Sequence, residues 1–485
     1  MASELIRTTP EALGISSGAV SALVEALERN GGGAHSLMLL RHGRVAAEGY
    51  WAPYAADTPH MLFSLSKSFT STAIGLAVAE GRLTIDDRVL SFFPQEGPAE
   101  PGAYLQAMRI RHLLSMTTGH SEDTLPALLA APDGTWRRAF LQTRQSQAPG
   151  RLFCYNSGAS YMLSAILQQV TGETVRDYLT PRLFEPLGIP QPRWETCPAG
   201  YSAGGWGLYL RTEDIARFGQ LYLQRGRWED RQLLPAAWVD AATRAHADNS
   251  FRENPDWRMG YGYQFWMCRH GAWRGDGAHG QFCLVMPEQD AVLALTSGVR
   301  NLQAVLDAVW EHLLPGMGDG TLPSSTFFDR ALQQQLASLR IDPPAGEPRS
   351  PLLEDLLGKT VRLEEGDLGW RTLRLEQDGS GLALLLEDGL GSHRLTVPTD
   401  GSWWRGSTEL AIHPARTVVE QFPRPVAVSG AWEDPQTLTV TLCFVETPFH
   451  PTLRLRVEGQ GATLRLDANC GWDELQGREW RGTLE

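Results

Sequence analysis

The spacing of apolar residues divides the first 340 residues into a strand-rich beginning, a helical middle and a strand-rich end. Residues 17–30 have the spacing of an amphipathic helix, and two apolar runs at 36–41 and 45–50 flank a short turn, which predicts a hairpin. Helical spacing then dominates residues 64–224, with segments at 64–81, 111–117, 159–171 and 212–224, the last with Thr212 as its predicted N-cap. Strand-like runs return at 262–268, 280–286 and 291–296, before a helix at 302–314. Strands at both ends of such a segment are expected to share one sheet, which is typical of an α/β fold.

The period of the pattern changes to two in the last third of the chain. A predicted helix near 329–339 is followed by IDPPAGEPRS at 341–350, a Pro/Gly-rich linker. Strand-like runs then occur at 359–363, 371–376, 382–387, 394–397, 438–444, 453–457 and 463–466. Several strands at short spacing predict an all-β barrel or sandwich. We therefore expect an α/β domain at 1–340 with a helical insertion at about 85–255, a linker at 341–350, and a β domain at 351–485.

Composition and charge exclude several classes of protein. The chain has 485 residues with 43 basic and 56 acidic side chains, and its net charge of −13 argues against nucleic acid or an anionic membrane as a partner. No apolar run approaches the roughly 18 residues of a membrane span, and the N-terminus does not read as a secretory signal, so we expect a cytoplasmic protein. The six cysteines form no CxxC pair, which favours reduced thiols, and we expect no metal and no cofactor.

Lysine is scarce in this chain, and one of its two lysines lies in a chemically suggestive motif. All basic residues except Lys67 and Lys359 are arginine, which a genome biased toward arginine codons explains simply. An amine can lose its proton near neutral pH, however, whereas a guanidinium cannot. Lys67 follows Ser64 by three residues at a predicted helix start, so the two side chains share a face and the amine can activate the hydroxyl. The N–H groups of a helix start also suit an oxyanion. The same spacing arises by chance, and the motif alone is not decisive.

Two further segments can complete such a site. The sequence PGRLFCYNSG at 149–158 places Tyr155 on a loop before a helix, where it can share a proton with Lys67, although a core tyrosine is the simpler interpretation of this residue alone. The sequence WRGDGAHGQ at 273–281 is a Gly-rich turn before a strand. Its glycines allow a substrate to approach the backbone, and such a strand edge can supply an N–H group to an oxyanion.

Together these segments resemble the penicillin-recognising serine hydrolases, specifically the class C β-lactamase-related esterases, amidases and peptidases. The resemblance covers about residues 10–315, with landmarks in the family's order: the hairpin, the Ser64/Lys67 motif, LTIDD at 83–87, IRHLLSMTTG at 110–119, PGRLFCYNS at 149–157, GGWGL at 204–208 and GDG at 275–277. It implies a β-lactamase/transpeptidase-like mixed sheet with a helical subdomain. It also implies Ser64 as nucleophile, Lys67 as base and Tyr155 as proton relay. The backbone N–H groups of Ser64 and Ala278 would form the oxyanion hole.

Two positions depart from the pattern of the β-lactamases. Those enzymes have Tyr-x-Asn where this chain ends the motif with Ser157, and a basic residue before Thr-Gly where this chain has Gly275 and Asp276. The missing basic residue would hold a substrate carboxylate, and Arg274 is a candidate for that role whose direction the sequence does not give. The Tyr-x-Ser variant is similar to esterases and nylon-oligomer-type amidases. We therefore expect a hydrolase of small esters or amides. The alternatives are a D-amino-acid peptidase or weak β-lactamase, and a non-catalytic penicillin-binding-like sensor.

The remaining expectations concern substrate contacts and the β domain. The residues expected to contact substrate are Ser157, Arg274, Gly275, Asp276, Gly277, His279, Trp206 and Trp273. His279 is interpreted either as a substrate contact or as a turn-packing residue, and Trp206 and Trp273 as walls of an apolar pocket. The β domain carries no chemical motif, so it is either a packing or oligomerisation module or a cap that narrows the cleft. The expected partner is a small ester or amide, and homo-oligomerisation stays open.

Overall fold

The structure is a computed structural model that describes residues 4–29, 33–131, 134–366, 368–379, 381–410, 423–471 and 477–485. Its helices are α1 (Ser17–Arg29), α2 (Ser66–Ala79), α3 (Val89–Phe92), α4 (Ala103–Ala107), α5 (Ile110–Leu114), α6 (Leu125–Ala130), α7 (Trp136–Gln142), α8 (Ser157–Thr171), α9 (Val175–Leu179), α10 (Thr212–Leu223), α11 (Ala236–Ala242), α12 (Leu302–Ala308), α13 (Thr326–Ala337) and α14 (Leu353–Leu356). Within the described ranges, none of these helices is both long and apolar enough to cross a membrane.

Strands from the two ends of the α/β segment form one sheet, as expected. In the first 340 residues the strands are β1 (Ala34–Arg41), β2 (Arg44–Tyr50), β3 (His60–Met61), β4 (Arg193–Trp194), β5 (Leu208–Leu210), β6 (Arg227–Trp228), β7 (Arg231–Gln232), β8 (Trp266–Met267), β9 (Trp273–Gly277), β10 (Gln281–Met286) and β11 (Ala291–Ser297). The main sheet has the order β2-β1-β11-β10-β9-β8, with antiparallel neighbours throughout. A small sheet with the order β3-β5-β4 joins β3, which precedes α2 in the chain, to β4 and β5, which follow α9. The first and last strands of the segment therefore meet at the centre of the main sheet, where β1 pairs with β11.

Three local predictions need correction. The strand predicted at 262–268 shrinks to β8, because Gly262 N–H donates to Phe265 O across a turn in which Gln264 has a φ of 64°. The predicted cap of α10, Thr212, is instead its first residue, and the Asp214 carboxylate accepts from Arg211 N–H at 3.0 Å. The helix predicted at 302–314 ends as α12 at Ala308 and continues as a wider turn at Val309–Leu313. Helix α1 matches its prediction up to Arg29, and Asn30 lies outside the described residues.

The C-terminal part is a nearly closed antiparallel barrel rather than a sandwich. Its strands are β12 (Thr360–Leu363), β13 (Thr372–Asp378), β14 (Gly381–Glu387), β15 (Ser392–Val397), β16 (Trp404–Thr408), β17 (Arg424–Asp434), β18 (Thr437–Cys443), β19 (Thr452–Glu458), β20 (Gly461–Asp467) and β21 (Arg478–Leu484). They form one sheet with the order β15-β14-β13-β12-β21-β20-β19-β18-β17-β16. Gly430 N–H in β17 donates to Pro398 O just beyond β15 at 2.9 Å, which brings the two ends of the sheet together. Closure of this kind protects the edge strands.

The barrel and the α/β part share a hydrophobic core. Side chains of β1, β10, β11 and α1 form a buried cluster that also contains Ala427, Cys443 and Val445 of the barrel. The segment of residues 444–451 between β18 and β19, which we call the β18–β19 loop, contacts the α/β part. Tyr54 Oη donates to Thr447 O at 3.0 Å, and Met61 N–H donates to Glu446 O at 2.7 Å. Because Met61 lies three residues before Ser64, the barrel is anchored beside the predicted nucleophile.

Candidate active site

Ser64 lies in a one-turn helix at Phe63–Leu65 that leads directly into α2. Leu62 N–H donates to Leu208 O at 2.8 Å, and the Ser66 hydroxyl accepts from Leu208 N–H at 3.1 Å. These bonds fix the turn against β5 on both sides of the serine. Phe63 has a φ of 45°, in the left-handed region that a bulky residue rarely adopts. Strained backbone of this kind clusters at functional sites, where the surroundings hold it in place.

The Lys67 amine is buried against the Ser64 hydroxyl. Lys67 Nζ donates to Ser64 Oγ at 2.9 Å, to Ser157 Oγ at 3.3 Å and to Gly205 O at 2.7 Å. Only 1% of the Lys67 side chain is exposed. A Cβ on Gly205 would lie 3.0 Å from Ser157 O and 3.5 Å from the amine, so a glycine keeps this junction compact. The predicted Ser/Lys pair is therefore in contact, with its amine held by three oxygen atoms.

Burial makes this amine a base near neutral pH. Loss of solvent lowers the pKa of Lys67 from 10.5 to about 8, and the negative charges of Asp123 and Asp276 oppose that shift. Asp123 is half-buried on the loop before α6, and one of its oxygens accepts from Ser157 N–H at 2.8 Å. Sequence reasoning missed Asp123, because an isolated acidic residue on a loop has no spacing that relates it to Lys67.

Tyr155 lies over the same amine. Its ring centroid is 4.9 Å from Lys67 Nζ, and its ring stacks on Trp266 with centroids 5.4 Å apart. Burial raises the pKa of Tyr155 well above its usual value of 10, so the phenol keeps its proton at neutral pH. Of the two groups near Ser64, Lys67 is therefore suited to accept a proton and Tyr155 to donate one.

Neighbouring Asn156 and Ser157 have different tasks. The Asn156 side chain caps α8 by accepting from Ala159 N–H at 3.2 Å, and it also accepts from the Thr124 hydroxyl at 2.8 Å. Ser157 is the first residue of α8 and directs its hydroxyl at Lys67. The Tyr-x-Ser motif thus brings its first and third residues to the amine, and its second residue holds the loop.

Strand β9 passes directly behind the nucleophile turn. A Cβ on Gly275 would lie 2.5 Å from atoms of Leu65 and Ser68, and a Cβ on Gly277 would lie 2.1 Å from Leu62 O. Glycines at both positions therefore allow the strand to approach the turn closely. Ala278 follows immediately and is partly exposed, as Ser64 is. This arrangement is compatible with backbone N–H groups of Ser64 and Ala278 facing one carbonyl oxygen, the predicted oxyanion hole.

Arg274 is engaged by partners inside the protein. It is fully buried, donates to Asp256 O at 2.8 Å, and pairs with the Asp276 carboxylate at 2.9 Å. Burial raises the pKa of Asp276, and the charges of Arg274 and Lys67 oppose that shift. The structure therefore does not support Arg274 as a replacement for the missing basic residue, because its guanidinium is already paired inside the protein.

Of the two tryptophans predicted as pocket walls, Trp273 lies in the core instead, and the role of Trp206 stays a prediction. Trp273 is buried and packs in the core against Phe265 and Tyr222, with ring centroids 5.5 and 5.8 Å away. Trp206 follows Gly205, is half-buried, and packs against Trp136. Trp273 is thus a structural residue, and its burial could not be distinguished from pocket lining in the sequence.

His279 lies at the rim of the site beside Ala278. Its ring is 5.4 Å from that of Phe63 and 5.5 Å from that of Phe449, a residue of the β18–β19 loop. Burial and the charge of Arg300 lower the pKa of His279 to about 4, so the ring is neutral at physiological pH. Among the described residues, no group of three or more His, Cys, Asp or Glu side chains is arranged to hold a metal ion.

Comparisons with known proteins agree with this geometry. The family model for Beta-lactamase matches residues 20–309. The chain is 24% identical over 287 residues to the 6-aminohexanoate-dimer hydrolase of Paenarthrobacter ureafaciens, which covers 54% of this chain and 72% of that protein. It is 26% identical over 317 residues to Penicillin-binding protein 4 of Amycolatopsis lactamdurans, and this alignment covers 58% of this chain and 82% of that protein.

A solved structure extends the likeness to the barrel. The octameric penicillin-binding protein homologue from Pyrococcus abyssi matches with a TM-score of 0.50 at 15% sequence identity, over 96% of this chain and 99% of that one. At this identity the match shows a shared fold. The predicted β-lactamase/transpeptidase-like fold with an added C-terminal all-β part is confirmed.

Proposed function

This chain belongs to the beta-lactamase family of acyl-enzyme serine hydrolases, and from that premise we propose that it cleaves small esters or amides through an acyl-enzyme on Ser64. The observation that carries the proposal is the contact of 2.9 Å between Lys67 Nζ and Ser64 Oγ, with an amine whose pKa is lowered to about 8. A serine hydroxyl is a weak nucleophile until a neighbouring base removes its proton. A buried lysine that is partly neutral at pH 7 can serve as that base.

The reaction follows from the positions of the three side chains. Neutral Lys67 accepts the Ser64 proton as the oxygen attacks the substrate carbonyl, and backbone N–H groups of Ser64 and Ala278 stabilise the oxyanion. Tyr155 donates its proton to the leaving group and regains one from the Lys67 ammonium, which lies 4.9 Å from its ring centroid. Water then attacks the acyl-enzyme and gives a proton to Lys67, and Lys67 returns that proton to Ser64 Oγ as the acid is released.

Charge around the site favours a substrate without a carboxylate near the reacting carbonyl. Asp123 lies close enough to raise the pKa of Lys67, so its negative charge would repel a substrate carboxylate. Arg274, the arginine of β9, is paired with Asp276, so its positive charge is already balanced and is not available to a substrate carboxylate. The name of the 6-aminohexanoate-dimer hydrolase denotes cleavage of an amide, which supports a substrate class wider than β-lactams.

Parallel rate measurements test the proposal. Initial rates are measured on p-nitrophenyl butyrate, a D-alanyl peptide and a chromogenic cephalosporin, with wild type and Ser64→Ala. We expect turnover of the ester by wild type only, and kcat/KM for the two carboxylate-bearing substrates at least tenfold lower. Preferred cleavage of either carboxylate-bearing substrate would instead assign a D-amino-acid peptidase or a β-lactamase. A wild type that turns over none of them would contradict the proposed activity.

A further inference from the structure

We propose that the barrel completes the substrate site, and that Phe449 of the β18–β19 loop helps to bind an apolar acyl group of the substrate. This inference rests on the proposed function, because it assigns a substrate contact within the same site. Of the two roles that the sequence left open for the C-terminal part, it favours a cap on the cleft over a packing or oligomerisation module.

Three aromatic rings form a continuous wall beside Ser64. The rings of Phe63 and His279 are 5.4 Å apart, those of His279 and Phe449 are 5.5 Å apart, and those of Phe63 and Phe449 are 6.3 Å apart, each pair edge to face. All three side chains are partly exposed, as are Ser64 and Ala278. Phe63 immediately precedes the nucleophile, and His279 immediately follows Ala278. The wall therefore begins next to both residues that carry the proposed oxyanion hole.

The backbone on either side of the site is strained where it presents these rings. Phe63 has a φ of 45° and His279 a φ of 70°, both in the left-handed region. A glycine would adopt either conformation more readily, yet aromatic residues occupy both positions. The neutral state of His279 makes its ring compatible with an apolar ligand.

Phe449 is held in place from both parts of the molecule. Glu446 in the same loop accepts from Met61 N–H at 2.7 Å and pairs with Arg193 at 2.5 Å. At the other end of the loop, Asn469 Nδ2 donates to Pro448 O at 2.9 Å and to Gly298 O at 3.1 Å. A loop fixed in this way presents Phe449 at a reduced ordering cost on each turnover.

The position of the proton donor indicates which half of the substrate meets the wall. Tyr155 must lie next to the leaving group to protonate it, and its ring packs against Trp266 and Tyr261. The aromatic wall lies instead beside the residues that carry the oxyanion N–H groups. The leaving group therefore occupies the Tyr155 side, and the acyl group, which stays on Ser64 after the first step, is left to face the wall.

An acyl-chain series with a constant leaving group tests this inference. Values of kcat/KM are measured for p-nitrophenyl acetate, butyrate and octanoate with wild type and Phe449→Ala. We expect wild type to prefer octanoate over acetate, and Phe449→Ala to lower the octanoate-to-acetate ratio about tenfold with little change for acetate. The matched control is Phe327→Ala, which removes the same ring from an exposed position on α13 and is expected to leave the ratio unchanged.

The possible results separate the inference from the proposed function. Phe449→Leu keeps an apolar side chain in the loop and is expected to retain most of the wild-type ratio, which guards against misfolding of the alanine variant. An octanoate-to-acetate ratio that is unchanged or raised in Phe449→Ala, while acetate turnover persists, would overturn the inference alone. A wild type inactive toward acetate, indistinguishable from Ser64→Ala, would refute the proposed function and the inference with it.

Discussion

Activity should rise with pH along the titration of Lys67. The amine is fully buried, and its pKa is lowered from 10.5 to about 8. At pH 7 roughly a tenth of the protein therefore carries the neutral amine, and at pH 9 about nine tenths does. With the ordinary pKa only about three molecules in ten thousand would be neutral at pH 7, so burial increases the reactive fraction roughly 300-fold.

Activity rises with pH because the Lys67 amine acts as a base. Only the neutral form can accept the Ser64 proton, so kcat/KM should fall about tenfold for each pH unit below 8 and level off above it. Tyr155 adds no titration in this range, because burial raises its pKa above the usual value of 10. The protonated phenol that donates to the leaving group is therefore present throughout.

The assay is kcat/KM for p-nitrophenyl butyrate from pH 6 to 9.5, with the rate of Ser64→Ala subtracted at each pH. Lys67→Met removes the amine but keeps a similar length, and Lys67→Arg keeps a charge that cannot be neutralised in this range. In both variants kcat/KM is expected to fall by about 10²-fold to 10⁴-fold. A profile that is flat from pH 6 to 9, or a Lys67→Arg variant with near wild-type activity, would refute the assignment of Lys67 as base.

Two further predictions concern stability. Asn156→Ala should lower the free energy of unfolding by about 1–2 kcal/mol, because the cap of α8 is lost. Ser157→Ala should leave the free energy of unfolding unchanged and lower kcat about fivefold, because the hydroxyl that contacts Lys67 is lost. Urea unfolding measures the first effect and ester kinetics the second. Equal effects of the two variants on stability would contradict this division of tasks. His60 is buried with a pKa lowered to about 4, so between pH 6.5 and 4 the unfolded chain binds a proton at this residue and the folded chain does not. The free energy of unfolding is therefore expected to decrease by about 3 kcal/mol on account of His60 as the pH falls from 6.5 to 4. In urea titrations at these two pH values, His60→Gln should reduce this decrease, and an identical decrease in wild type and variant would disprove the contribution of His60.

The parts of the fold that the sequence predicted well are those with strong local periodicity. The hairpin of β1 and β2, helix α8 and strands β10 and β11 were expected within a few residues of their bounds. Strands β16, β17 and β21 were missed, because their alternation is interrupted. Strand β17 contains Pro425 and Gly430, β16 contains Gly406, and β21 alternates charged residues around a single buried Trp480. Their pairing depends on barrel closure, which no local pattern encodes.

In the candidate site, too, local contacts could be predicted from the sequence and long-range contacts could not. The contact between Ser64 and Lys67 could be anticipated, because a separation of three residues fixes it within one turn of helix. The direction of Arg274 could not, because it depends on Asp256, which lies 18 residues earlier in the chain. Phe449 lies further still from the motifs and reaches the site only through the docking of the barrel on the α/β part.

The central claim is that Ser64 becomes acylated, and intact-protein mass measures this most directly. Wild type and Ser64→Ala are exposed briefly to p-nitrophenyl butyrate, quenched in acid and weighed at several times. We predict a mass increase of one butyryl group on wild type alone, which disappears as the ester is consumed. An adduct of equal size on both proteins, or none on wild type while it hydrolyses the ester, would contradict an acyl-enzyme on Ser64.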